Sequence, residues 1–233
     1  MYDHSRFLHT MSELSARLVT PDDVDAALED ACARMVGLFD LAGVAMALTQ
    51  GGELGPAAGH PGEMVALGRA QRTHGGGPGV EAFRTGEVLA IADLEEYAGR
   101  WPEWCAAARA RGVGAAVGIP LRLGARSLGV VDLYAKGLRD WPGEDLEAAA
   151  ALADLVVALL VSTAALREQE QLAGQLQHAL DSRTVIEQAK GVVSARRGVS
   201  VDEAFELIRR HARNHQVTVR AVAEGVVGLG LEV

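Results

Sequence analysis

The sequence is poor in cysteine and in aromatic residues, and both shortages exclude classes of protein. Its 233 residues include only two cysteines, Cys32 and Cys105, and 4% aromatic side chains. Two isolated cysteines without a CxxC pair do not form a disulfide framework, and no His/Cys cluster has the spacing of a zinc site. This pattern predicts a protein of a reducing cytoplasm, without a metal site.

Long apolar runs are also scarce. Residues 2–17 mix Asp, His, Arg and Glu and therefore lack the apolar centre of a signal peptide. The run Ala148–Leu166 is nearly long enough to cross a bilayer, but Asp154 interrupts it and alanine dominates its first third. We expect a helix of a water-soluble protein that is buried on two sides, and no membrane partner.

The negative charge is concentrated in the N-terminal part of the chain. The net charge is −9, yet nine Lys/Arg and nine Asp/Glu follow from Ala164 onward, so the whole excess of acid lies before that residue. An acidic N-terminal domain argues against non-specific nucleic-acid binding there. The C-terminal part is locally basic, and it is the better candidate for contact with a phosphate backbone.

Apolar residues in the first 165 positions alternate between helical and strand periods. Helical spacing predicts helices over residues 5–19, 24–38, 61–72 and 80–84, the second of which starts after Thr20–Asp23. Short apolar runs predict strands over residues 43–49, 54–58, 87–91, 113–121 and 127–134. The loop His74–Gly79 lacks the spacing of a phosphate-binding motif, and a sharp turn into a helix is the favoured interpretation.

Two blocks within this order of elements resemble a GAF domain. They are GGPGVEAFRTGEVLAIADL (Gly76–Leu94) and GVGAAVGIPLRLGARSLGVVDLY (Gly112–Tyr134). The resemblance covers residues 5–165 and implies an α+β fold, with an antiparallel sheet, flanking helices and a sensory role. It also implies a pocket on one face of the sheet for a small-molecule ligand, which the sequence does not identify.

The segment that would cover this pocket contains three aromatic residues. Trp101 and Trp104 are two of the three tryptophans of the chain, and Tyr97 lies close by. They are candidates for lining a ligand pocket, and the alternative is that they cover the sheet as ordinary core. Relatives often have cysteine where this chain has Gly79, so thiol-based sensing is not expected.

The helix predicted from Glu144 continues beyond the edge of the first domain, to about residue 180. Leucines recur along it at steps of three to seven residues: Leu152, Leu155, Leu159, Leu166, Leu172, Leu176 and Leu180. We interpret residues 144–180 as a signal helix that forms a parallel coiled coil in a homodimer. An antiparallel helix hairpin within one chain is the alternative.

The stretch Asp181–Ser200 predicts a helix, a tight turn and a second helix. Its apolar residues recur at three- and four-residue steps, and the run stops at Gly198 after two arginines. Ser200 and Glu203 then have the spacing of a capping box. Two further helices are predicted over residues 201–215 and 217–227.

The C-terminal sequence ALDSRTVIEQAKGVVSARRGVSVDEAFELIRRHARNHQVTVRAVAEGVV (Ala179–Val227) resembles an ANTAR domain. The resemblance implies a three-helix RNA-binding module, over residues 168–230, that regulates transcription antitermination. Its implied partners are paired RNA hairpins in nascent transcripts, which again favours a dimer. The long signal helix would join this module to the sensor.

We expect the RNA contacts to come from the positions that match this family and from basic residues at helix ends. The candidates are Lys190, Ala189, Arg183, Arg196, Arg197, Arg213 and Arg220. Lys190 is one of only two lysines in the chain, and a lysine that covers apolar surface is the alternative interpretation. Phe205 is expected to anchor the core, and Gly191 to permit a close approach between helices.

Other classes of function have less support in the sequence. No Ser-His-Asp spacing, paired carboxylates or nucleotide-binding loop is present, so an enzyme is not expected. A DNA-binding regulator would use residues 217–227 as its recognition helix, but this helix carries only Arg220 and Glu224. A partner-binding switch without nucleic acid, in which an upstream signalling protein docks on the sensor, remains an alternative.

Overall fold

The structure, a computed structural model, describes residues 3–17 and 23–233. The chain divides into two compact units, Met1–Ala165 and Leu166–Val233. The predicted break at Thr20–Asp22 lies outside the described residues. The second helix follows directly, because the side chain of Asp23 accepts hydrogen bonds from the backbone N–H groups of Asp25 and Ala26.

The first unit is an antiparallel sheet with helices on both faces. Its strands are β1 (Gly43–Gln50), β2 (Glu53–His60), β3 (Leu89–Ile91), β4 (Val113–Leu123) and β5 (Arg126–Lys136). The α-helices that lie wholly within this unit are α1 (His4–Arg17), α2 (Val24–Phe39), α3 (Met64–Thr73), α4 (Pro78–Thr85) and α5 (Pro102–Arg109). The strand order is β2-β1-β5-β4-β3 with every pair antiparallel. The predicted α+β fold is confirmed.

Strand periodicity decides which helices cover which face of the sheet. Val44 and Met46 point to one face, where they pack with α2 and with the first part of α6 (Gly143–Arg197). Ala45 points to the other face, which α3 and α5 cover. Cys32 lies in the first of these cores, and burial raises the pKa of its thiol to about 12, so it is a packing residue and not a nucleophile.

Helix α6 contains a window that is long and apolar enough to cross a membrane by length and composition. This is weak evidence for a span, because a core helix passes the same test, and 39% of that window is buried. Its buried residues repeat at helical spacing on the sheet: Ala148, Ala149, Leu152, Ala153, Val156, Val157 and Leu159. Asp154, within the window, is exposed.

The second unit consists of the later part of α6 with α7 (Val201–His215) and α8 (Val219–Gly228). Gly198 turns the chain in the left-handed region at φ +67°. Ser200 and Glu203 then form the predicted capping box at the start of α7. The three helices share a small core, which consists of Ala189, Val193, Ala204, Ile208, Ala212, Val222, Ala223 and Val226.

Candidate nucleic-acid interface

One aromatic ring on the surface of α7 brings together cations from two helices. Lys190 Nζ of α6 lies 5.5 Å from the centroid of the Phe205 ring, and Arg209 Cζ of α7 lies 5.7 Å from it. Both distances are within the range of a cation–π contact. Phe205 is half-buried, and it belongs to none of the core clusters found among the described residues. Its predicted role as a core anchor is therefore wrong.

Helical spacing explains why these residues share a face. Phe205, Arg209 and Arg213 follow one another at four-residue steps along α7, and such steps return to the same side of a helix. Arg183 and Lys190 are seven residues apart on α6, which is almost two full turns. Arg183 and Arg213 are exposed, and within the described residues neither makes an ion pair. We refer below to these five residues as the cationic face.

Besides the Phe205 ring, Lys190 and Arg209 each have one carboxylate partner among the described residues. Lys190 Nζ lies 2.9 and 3.0 Å from the two oxygens of Glu187, and Arg209 Nη1 lies 2.8 Å from Glu206 Oε1. The side chains of Glu187 and Glu206 are 57% and 59% exposed, and Arg209 is 47% exposed, whereas Lys190 is only 15% exposed. Water therefore screens the Arg209 pair more than the Lys190 pair. A phosphate oxygen accepts the same charge-assisted hydrogen bonds and replaces a carboxylate without a change of geometry.

Arg196 and Arg197 serve a different purpose in this structure. Arg197 Nη2 donates to the carbonyl of Val233 at 2.6 Å, and Arg196 Nη1 donates to that of Gly230 at 3.4 Å. These bonds hold the segment after α8 against the end of α6. Arg197 is as far from Lys190 along the helix as Arg183 is, so spacing does not separate the two. The difference is that Arg196 and Arg197 are bonded to the segment after α8, and we do not count them in the cationic face.

The other two candidates, Arg220 and Ala189, also lie in contacts within the protein. Arg220 Nε lies 2.7 Å from Glu224 Oε1 on α8, and its Nη1 is buried without a hydrogen-bond partner among the described residues. Ala189 is 0% exposed in the core between the helices. RNA cannot reach this methyl group while the helices are packed, so Ala189 is a packing residue in this structure, and its expected contact with RNA stays a prediction.

Gly191 also differs from the expectation. It is exposed, and a methyl group built on it would meet no described atom within 4 Å. No helix approaches it closely within the described part of the chain, so the predicted packing role is wrong. Arg209, by contrast, was missing from the candidates, although its four-residue spacing from Phe205 in the sequence was the signal that could have found it.

The aromatic residues of the first unit fill the space in which a ligand was expected. Tyr97 stacks on Trp101 at 5.3 Å between ring centroids, and Trp101 meets Trp104 edge-on at 6.2 Å. Trp104 is fully buried, and its Nε1–H donates to the carbonyl of Leu67 at 3.3 Å. The loop glycine Gly76 is so close that a methyl group there would overlap Trp101. In this structure the three rings are core.

A buried polar network lies beside these rings. Gln71 of α3 donates through Nε2 to Asp132 Oδ2 at 2.8 Å and to the Tyr134 hydroxyl at 3.3 Å. Its Oε1 accepts from the backbone N–H groups of Gly79 and Val80, at 2.8 and 3.1 Å. Two N–H groups in the first turn of α4 are therefore bonded to a side chain of the protein itself, which agrees with the expected sharp turn into a helix.

Asp132 is the one strongly perturbed carboxyl group of this network. Burial raises its pKa to about 7, and the hydrogen bonds from Gln71 and Tyr134 offset only part of that effect. Its Oδ1 has no hydrogen-bond partner among the described atoms. The interior thus holds a carboxyl group that changes protonation near neutral pH.

An antiparallel sheet between two helical layers, followed by a small three-helix module with a cationic face, defines a two-domain sensory regulator. Comparison with known families agrees with this class. The GAF domain family matches residues 21–161, which is more than half of the chain, and the ANTAR domain family matches residues 174–227. The chain belongs to the GAF family and carries an ANTAR domain, so it is a GAF–ANTAR regulator.

The chain also resembles a curated transcriptional regulator over part of its length. The transcriptional regulatory protein PdtaR of Mycobacterium tuberculosis is 32% identical over 79 residues, which are 33% of this chain and 38% of that protein. The chain therefore matches little more than a third of the length of this curated relative.

Solved structures resemble the first half in fold alone. Free methionine-R-sulfoxide reductase of Neisseria meningitidis, with its substrate, has a TM-score of 0.54 at 15% identity, over 71% of this chain and 96% of that one. The GAF domain of a phosphoenolpyruvate-protein phosphotransferase of Coxiella burnetii has a TM-score of 0.54 at 14% identity, over 70% of this chain and 98% of that domain.

Proposed function

We propose that the chain is an RNA-binding regulator of transcription antitermination that is controlled through its GAF domain. The observation that carries the proposal is the cationic face, which lies within the ANTAR match and on two of its three helices. Arg183 and Arg213 extend it beyond the central pair, and a row of cations of this kind is suited to a phosphate backbone.

In this function the cationic face binds hairpins of a nascent transcript through their loops and the adjoining phosphates. Sequence-specific RNA recognition uses unpaired loop bases, because the grooves of an RNA helix reveal little of their sequence to side chains. A hairpin that is stabilised by binding competes with an overlapping terminator hairpin. The result is continued transcription, and no covalent chemistry by the protein is required.

The regulator acts as a homodimer in this proposal. Residues 166–181 of α6 are exposed along their whole length. Leu172, Leu176 and Leu180 are 55–59% exposed and Leu166 is 42% exposed. A second copy that packs along this leucine face would cover it as a parallel coiled coil, and it would bring two ANTAR domains to paired hairpins.

The GAF domain supplies the signal, as a small ligand or a docked signalling protein in the cytoplasm. Under α3, α4 and α5 the Gln71 network and the Tyr97–Trp101–Trp104 cluster are packed against their neighbours, so in this proposal a ligand displaces part of one or the other. The buried network offers both hydrogen-bond donors and acceptors to a polar ligand. The domains of the regulator are in this view a sensor over residues 5–165 and an RNA-binding module over residues 168–230.

The test is a binding measurement with the full-length protein. A two-hairpin RNA with hexanucleotide loops is compared with duplex DNA of equal length, at two salt concentrations. Lys190→Ala should weaken RNA binding and lower the slope of log K against log salt by about 0.7–0.9, as expected for one lost phosphate contact. Lys136→Ala is the matched control, because Lys136 is the other lysine of the chain, exposed on the GAF domain.

Each outcome separates the proposed function from its alternatives. Equal binding to DNA and RNA would favour a DNA-binding regulator. Absence of salt-dependent binding to either nucleic acid at low salt would contradict the proposal and favour a partner-binding switch. An equal loss in both lysine variants would mean that the attraction is general and not located at the cationic face.

A further inference from the structure

We infer that Phe205 is a stacking platform for one unpaired base of the RNA loop. The inference rests on the proposed function and adds to it the kind of contact that selects loop nucleotides. Phosphate contacts alone position a protein on RNA without distinguishing a loop from a stem. A platform of this kind supplies that distinction.

The first argument is the location of the ring. The core of the unit is formed by small and aliphatic residues, and on α7 these are Ala204, Ile208 and Ala212. Phe205 lies next to this stripe and is packed into neither the core nor its rim. The chain has only four phenylalanines, so a ring at the surface of the ANTAR domain is not explained by composition.

The second argument is the charge around the ring. Lys190 and Arg209 come from different helices, and they converge on the Phe205 ring although they repel each other. The electron-rich face of the ring, together with Glu187 and Glu206, keeps the two cations together. An aromatic face between two cations is complementary to one nucleotide of an RNA chain, which presents a flat base and has a phosphate on each side.

The third argument is that the cations can leave the ring. Arg209 is 47% exposed and the carboxylate partners of both cations are 57–59% exposed, so a phosphate can replace these carboxylates at the surface. The Lys190 side chain is only 15% exposed, so Arg209 is the cation that is freer to turn away from the ring. When RNA phosphates replace the two carboxylates, Lys190 and Arg209 turn toward the phosphates. The ring is then open to a base, and stacking on it is tolerant of base identity.

This mode of binding requires an unpaired base. A base within a stem is already stacked on its neighbours on both sides, so only a nucleotide that turns out of a loop can reach Phe205. We therefore expect a continuous duplex to gain the charge contacts of the cationic face but not the stacking contact.

The experiment uses the full-length protein and the two-hairpin RNA. Phe205→Leu retains an apolar side chain and removes the aromatic face, whereas Phe205→Tyr and Phe205→Trp retain that face. Phe7→Leu on α1 is the matched control, since it makes the same change in the other unit. Abasic nucleotides are introduced one at a time at each loop position, and each RNA is tested against wild type and Phe205→Leu.

We expect Phe205→Leu to weaken RNA binding by about 5- to 150-fold, the range found when single base–aromatic stacks are removed. The salt slope should stay unchanged, because no charge is lost, whereas Arg209→Gln should lower it by about 0.7–0.9. The variants Phe205→Tyr and Phe205→Trp should retain RNA binding. At one loop position, an abasic nucleotide should weaken RNA binding by wild type as much as the Phe205→Leu substitution does. The same abasic RNA should bind Phe205→Leu no more weakly than the intact RNA does.

Other results would overturn the inference. Wild-type affinity in Phe205→Leu would exclude a platform. A lower salt slope in Phe205→Leu would mean that the ring only positions Lys190 and Arg209. If Phe205→Leu loses its helical circular dichroism, the abasic RNAs tested with the wild-type protein decide instead. Stacking is refuted if no single abasic position weakens binding by wild type. Failure of wild type to bind RNA would instead overturn the proposed function, so the two failures are distinguishable.

Discussion

Replacement of Asp132 by asparagine removes a carboxyl group whose ionisation is opposed by the interior of the GAF domain. The side chain is buried, Oδ2 accepts from Gln71, and Oδ1 has no partner among the described atoms. An asparagine of the same shape can keep the Gln71 bond through its carbonyl oxygen. It is neutral at every pH, so the comparison isolates the charge.

The pKa of Asp132 gives the size and sign of the effect. Burial raises it from 3.8 to about 7 in the folded protein. Between these two values the folded state binds a proton that the unfolded state has lost, so the unfolding free energy falls as the pH rises. From pH 5 to pH 8 the loss is about 2–3 kcal/mol for a shift of this size. Above about pH 8 the contribution is constant.

The assay is urea unfolding of wild type and Asp132→Asn at several pH values from 5 to 8.5. All three tryptophans lie in the first unit, so their fluorescence reports on the GAF domain alone. The unfolding free energy of Asp132→Asn minus that of wild type should increase by about 2–3 kcal/mol across this pH range. Other titrating groups cancel in the difference, and any cost of the unpaired amide is independent of pH.

The reasoning has a clear refutation. If the difference between the two proteins does not change with pH, Asp132 is ionised throughout, and the interior stabilises its charge. Asp154→Asn is the control, because it removes a carboxyl group that is exposed on α6. A slope of equal size in the control would assign the effect to general electrostatics.

Two further predictions concern the helices of the second unit. Gly191→Ala should raise the unfolding free energy by about 0.5–1 kcal/mol, because glycine is a poor helix former and a methyl group there meets nothing. Urea unfolding followed by circular dichroism measures it, and a destabilised variant would reveal a packing partner. Leu172→Glu with Leu176→Glu should convert the dimer to a monomer, as measured by sedimentation equilibrium, because charges would replace the leucine face. Gln171→Glu with Gln175→Glu is the charge-matched control, and a wild-type monomer would remove the dimer from the proposal.

Much of the fold could be predicted because it is encoded locally. The capping box at Ser200 and Glu203, the turn at Gly198 and the strand periods around β4 and β5 are properties of a few adjacent residues. Their energetics depend on hydrogen bonds and side-chain alternation within one element. A single sequence contains that information directly.

The site could be predicted only in part because it depends on contacts between elements. The sequence indicates that Lys190 is unusual, but not that Phe205 lies beside it, since this requires the packing of α7 on α6. The same limit explains Ala189 and Gly191. Both are small residues of one helix, and only the neighbouring helices decide that one is buried and the other faces open space.

The glycine at position 79 of the GAF domain has a physical cause. Any Cβ at this position would overlap the carboxylate of Asp132. The backbone N–H of Gly79 is at the same time bonded to Gln71, which also holds Asp132. A side chain at position 79 and the present conformation of Asp132 are therefore mutually exclusive. Because this amide–carboxyl network depends on hydrogen bonds and on the protonation of Asp132, we expect a signal that acts on the network to do so through hydrogen bonding or protonation.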